Sequence, residues 1–76
     1  MSFLASSSGE CTYNGALYNY TIRSNEGRLE YLSVYRALAC VARFDTHWDI
    51  LPVDQDTWIV CDRLIREITS NDVEEN

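Results

Sequence analysis

Between residues 9 and 23 polar and apolar side chains alternate. Cys11, Tyr13, Ala16, Tyr18, Tyr20 and Ile22 fall on one side of an extended chain; Glu10, Thr12, Asn19, Thr21 and Arg23 fall on the other, with Leu17 the one apolar exception. A period of two marks a strand with one buried face. The alternation breaks once, at Asn14-Gly15. These residue types accept the positive φ that both central positions of a type I′ turn require, so the pattern predicts a β-hairpin with a two-residue loop. The loop sets the register: Tyr13 opposite Ala16, Cys11 opposite Tyr18, Gly9 opposite Tyr20.

After Asn25-Glu26-Gly27 the pattern changes. Residues 28–44 contain neither Pro nor Gly. At 100° per residue, Tyr31, Leu32, Val34, Tyr35, Leu38, Ala39, Val41 and Ala42 occupy half of a cylinder, while Glu30, Ser33, Arg36 and Arg43 occupy the rest. This spacing predicts an amphipathic helix capped by Ser24 or Asn25. Leu29, Ala37, Cys40 and Phe44 lie among its polar residues, which gives that helix a second apolar face.

Residues 45–53 read as a connection with room for a short third strand around 48–51, because a lone hairpin is marginal in water. Asp54 or Asp56 then caps a second helix over residues 55–70. Its stripe is Trp58, Val60, Cys61, Leu64, Ile65 and Ile68, opposite Asp62, Arg63, Arg66, Glu67 and Ser70, with Ile59 stranded on the polar side. The run Thr57-Trp58-Ile59-Val60-Cys61 has strand propensity and competes with that helix. Residues 1–8 read as a loose lead-in and 71–76 as an acidic tail. The expectation is a single small α+β domain over residues 1–76. It consists of an N-terminal antiparallel hairpin, with or without a third short strand, packed against two α-helices.

Composition narrows the class. With 46% hydrophobic and 12% aromatic residues, the chain is too apolar for disorder. No apolar run approaches the roughly 20 residues that span a bilayer. The first nine residues lack the basic start and apolar core of a signal peptide. Cys11, Cys40 and Cys61 are an odd, scattered set, which points to free thiols in a reducing compartment and so to a cytoplasmic protein.

Charge is distributed unevenly. Residues 1–44 carry three acids and four arginines, for +1; residues 45–76 carry nine acids against Arg63 and Arg66, for −7. There is no lysine. Such a field repels nucleic acid and anionic membrane and attracts basic surfaces.

Reactive motifs are missing. Three cysteines and His47 have no C-x-x-C knuckle, so core cysteines are the better reading than zinc. Cys40 and His47, with Asp45 and Asp49 nearby, are the ingredients of a Cys–His site, without a surrounding signature. Asp45, Asp49, Asp54 and Asp56 lack the Gly and terminal Glu of a calcium loop. The expectation is no catalytic residue, no metal and no cofactor.

Acids around an aromatic anchor suit a basic groove, which makes Asp45, Trp48, Asp49, Asp54 and Asp56 the candidate partner-binding set. Carboxylates on a rigid frame also imitate a phosphate backbone. The expected function is a non-enzymatic inhibitor or modulator that covers a basic, nucleic-acid-binding surface of a protein. Small acidic anti-CRISPR and anti-restriction proteins of phages and mobile elements share this size and charge, an analogy of class rather than of family. The alternative is a structural or accessory subunit that forms a homodimer or a permanent complex through Leu29, Cys40, Phe44 and Ile59. The bland reading of the acidic half is a solvated surface.

Overall fold

A computed structural model describes residues 4–73. They form β1 (Leu4–Tyr13), β2 (Ala16–Asn25), β3 (Arg28–Arg36), β4 (Ala39–Asp45), β5 (Trp48–Ile50) and one helix, α1 (Gln55–Val73). The strands make one antiparallel sheet in chain order, from β1 at one edge to β5 at the other. The class is α+β.

β1 and β2 pair with Tyr13 opposite Ala16, Cys11 opposite Tyr18 and Gly9 opposite Tyr20. Asn14 and Gly15 both have positive φ, as the turn requires. The hairpin is not free-standing, however, but the first two strands of a five-stranded meander. Residues 4–8, expected as a loose lead-in, are strand; residues 71–73, expected as tail, continue α1. The rest of the expected tail, 74–76, and residues 1–3 lie outside the described residues.

The expected helix over 28–44 does not exist. Leu32 and Val34 face the core, opposite Ile22 and Tyr20 on one side and Phe44 and Ala42 on the other. Tyr31, Ser33 and Tyr35 project from the opposite face. Tyr, Val and Phe fit a pleated surface, and the open edge of β2 supplies an apolar face of matching period. Two turns make the meander. Glu26 and Gly27, at φ 54° and 80°, link β2 to β3; Ala37 and Leu38, at φ 51° and 70°, link β3 to β4. The second turn has neither Gly nor Asn, and nothing in its residue types announces it. The third strand expected at 48–51 is β5, the last of five.

One face of the sheet packs on α1. Tyr18, Ile22, Leu32, Val34, Val41 and Ala42 meet Val60, Cys61, Leu64 and Ile68 in a single core. Burying each large side chain there contributes about 1.5–3 kcal/mol relative to leaving it exposed. The second interface expected on a helix face has no such face. Leu29 and Phe44 pack against the core from β3 and β4, Cys40 sits opposite Tyr35, and Ile59 is on α1.

The cysteines are all free and differ in environment. Cys61 is fully buried, and its thiol is pushed up to about 12, chiefly by that burial. Half-buried Cys11 is also raised, first by burial. A thiol reagent is expected to label Cys40 first, Cys11 more slowly, and Cys61 only on unfolding. Fast native-state labelling of Cys61, read by mass spectrometry, would contradict this packing.

Candidate interaction surface

The start of α1 is held from three directions. Asp54 is its N-cap: Oδ1 accepts from the Thr57 amide at 2.8 Å and from the Thr57 hydroxyl at 2.6 Å. Its Oδ2 accepts from Arg36 Nη2 at 3.0 Å. Arg36 also donates through Nη1 to the hydroxyl of buried Tyr18 at 3.0 Å, so the cap is tied to the core. The Val53 amide donates to the Val41 carbonyl at 3.1 Å, which lays the connection along β4. Asp56 accepts from Asn14 Nδ2 at 3.1 Å, joining the first helical turn to the β1–β2 turn.

These contacts hold the Asp54 carboxyl at about 2, below its ordinary 3.8, through the Thr57 hydroxyl first, then the Thr57 amide and Arg36. A depressed folded-state pKa stabilises the fold above the unfolded value and loses that contribution as pH falls from about 4 through about 2. Asp54→Ala is expected to lower the melting temperature at pH 7 by roughly 5 °C. The difference from the unmodified protein should shrink as acid titrates the cap. A difference independent of pH would show that the carboxylate does not act as the cap.

Asp45 and Asp49 lie elsewhere, at the β4–β5 end. Arg43 spans them, with Nη1 2.6 Å from Asp49 and Nη2 3.5 Å from Asp45. His47 Nε2 is 2.8 Å from the other Asp49 oxygen. The expected acidic set is therefore split into a pair on Arg43 and a pair at the start of α1.

Trp48 is the middle of an aromatic row. Its ring is 5.3 Å from Phe44, edge-on, and 5.7 Å from Trp58. Trp48 packs against the core, and the surface end of the row is Trp58, 47% exposed. Beside Trp58 an open cleft of about 690 Å³ is lined by Pro52, Val53 and Ile59, with Asp54, Gln55 and Asp62 at its margin. Leu51 and Val53, 60% and 56% exposed, extend the apolar area.

The helical stripe expected from the sequence includes Trp58 as a buried residue, and the structure leaves it half-exposed. Measured by angle, Thr57, Val60, Leu64 and Ile68 centre that stripe, and Trp58 stands roughly 110° from its middle. Buried Thr57 and half-exposed Trp58 follow from that angle, which was the available signal. Leu51 and Val53 carried none, because connection residues have no period.

Among the described residues no three His, Cys, Asp or Glu side chains gather into a group that could hold a metal. The Cys40 thiol donates to the Ala42 carbonyl at 3.5 Å, and His47 bonds Asp49, so the weighed Cys–His–Asp ingredients are not joined. No described helix is long and apolar enough to cross a membrane. Chemically, the cleft can take an apolar side chain while its carboxylates meet neighbouring cations. The chain matches no family model, and neither a curated protein nor a solved structure is significantly similar to it.

Proposed function

We propose that this protein is a non-enzymatic inhibitor or modulator that docks its acidic, Trp58-centred end on a basic surface of another protein. The observation that carries this reading is the half-exposed Trp58, set in an apolar cleft with Asp54 and Asp62 at its margin, on a chain of net charge −6. A desolvated aromatic anchor inside a charged rim is the arrangement that concentrates binding energy and selects an oppositely charged partner. Trp58 takes the anchor role that sequence reading assigned to Trp48. Asp54 and Asp56 remain in the docking set, and Asp45 and Asp49 form a second acidic group around Arg43.

Each of these four acids is pinned by a hydrogen bond or ion pair to the fold. Negative charge held at fixed positions is what a nucleic-acid-binding surface recognises in phosphates. That supports a target whose basic surface normally binds nucleic acid, as for anti-defence proteins of phages and mobile elements, and a cytoplasmic site of action.

The test is capture from a bacterial lysate on immobilised protein, with Trp58→Ala and Leu17→Ala as paired variants. A specific target should be retained at low salt, released by about 0.5 M salt, and displaced by duplex DNA. Trp58→Ala should weaken retention about 30-fold or more. Leu17→Ala, on the face away from α1, should not. Retention that ignores salt, DNA and Trp58 would reject the proposal.

A further inference from the structure

The two edges of the sheet are unlike. β5 is three residues long and is followed within two residues by Pro52, which has no N–H to offer. β1 is ten residues long, pairs with β2 without a register shift, and contains no Pro, Lys or Arg. Native sheets usually blunt a long edge with such residues or with a bulge, because its free N–H and C=O groups are a template for another strand.

The turn decides which groups are free. In a two-residue hairpin the flanking pair, Tyr13 and Ala16, is hydrogen-bonded, and the pattern alternates from there. Tyr13, Cys11, Gly9, Ser7 and Ala5 therefore turn their N–H and C=O groups to β2. Thr12, Glu10, Ser8, Ser6 and Leu4 turn theirs outward.

We propose that β1 pairs with β1 of a second copy, antiparallel about a two-fold axis through Ser8, to make a continuous sheet of two protomers. The outward set is symmetric about Ser8. The axis sets Leu4 opposite Thr12, Ser6 opposite Glu10, and Ser8 opposite its own counterpart, so that every outward group is used, in about ten bonds. An axis through Gly9 leaves Leu4 without an opposite number, and one through Glu10 sets two carboxylates face to face.

Side chains on the helix side fit the same symmetry. Ala5, Ser7 and Gly9 are small, and Ala5 and Ser7 leave a groove of about 120 Å³ beside Leu64, Glu67 and Ile68. Arg63, 5.6 Å over the Tyr13 ring, and Glu67 both act on Cys11 and so flank this side of α1. Across the Ser8 axis Ala5 falls opposite Cys11 and Ser7 opposite Gly9, so the small helix-side residues of one copy meet those of the other. An interface between identical surfaces needs this self-complementarity.

The interface runs along β1, the edge opposite β5, whereas the docking reading centres on Trp58 at the start of α1. The two also respond oppositely to salt. Two chains of −6 repel, so salt strengthens this dimer, whereas it weakens docking on a basic target.

Sedimentation equilibrium of the whole chain, from about 1 µM to about 1 mM, tests it. The mass should rise from 8.8 kDa to twice that value and no further, at lower concentration as salt is raised. Ser8→Pro should hold the mass at one chain, since it removes an outward N–H and spares the β1–β2 ladder; Ser8→Ala should dimerise normally. Should Ser8→Pro fail to fold, amide exchange of the unmodified protein decides. The Ser6, Ser8, Glu10 and Thr12 amides should slow about tenfold as concentration rises, while those of Ser7, Gly9 and Cys11 do not change. A single-chain mass throughout, a mass beyond two chains, a dimer that survives in folded Ser8→Pro, or outward amides indifferent to concentration would overturn the proposal.

Discussion

Leu32→Ala is expected to lower the melting temperature by about 10–20 °C. Leu32 is fully buried and lies at the middle strand, between Ile22 of β2 and Phe44 of β4. Truncating such a leucine removes its transfer free energy and leaves a cavity, for about 2–5 kcal/mol in all. A chain of 76 residues has a total stability of only about 4–11 kcal/mol, so the loss is a large fraction of it. The neighbours cannot close the gap cheaply, because strand pairing holds them on both sides. Leu38→Ala is the control: Leu38 is 98% exposed, and its truncation should change stability by less than about 0.5 kcal/mol. Thermal unfolding by circular dichroism reads both. Equal effects of the two variants would contradict the strand assignment of residues 28–44, since a helix there would bury a different set.

Replacing Ala37-Leu38 by Asn-Gly is expected to raise stability by about 1–2 kcal/mol. Both positions have φ in the left-handed region, where a side chain with a Cβ crowds the backbone. Asn and Gly accept this conformation, as they do at Asn14-Gly15. Extra freedom of Gly in the unfolded chain offsets part of the gain. Urea unfolding should show a higher midpoint and an unchanged slope, because the surface exposed on unfolding is nearly the same. A lower midpoint would mean that Ala37 and Leu38 do not form a type I′ turn. The substitution leaves Arg36 and its bond to Asp54 in place, so the start of α1 should be undisturbed.

Local chemistry made part of this architecture legible. Asn14-Gly15 accepts positive φ, so the turn and the register of β1 and β2 could be read from two residues and the alternation around them. Asp54 or Asp56 before a 3.6-residue stripe marked the start of α1 and most of its core face, and Asp54 is the cap. Both are decided by neighbours a few residues apart. The remainder depends on distant partners. Residues 28–44 satisfy a helical period and, in two pieces, a strand period, and β2 selects the second by offering Ile22 and Tyr20 to Leu32 and Val34. Burial of that face, together with a second ladder, outweighs two strained residues at Ala37 and Leu38. The same sheet sorted the tryptophans. β5 lays Trp48 against Phe44, and α1, docked over the sheet, leaves Trp58 at the surface. Propensity and period act over one or two turns of chain, whereas the edge a strand joins and the face a helix hides are settled only when the sheet is assembled.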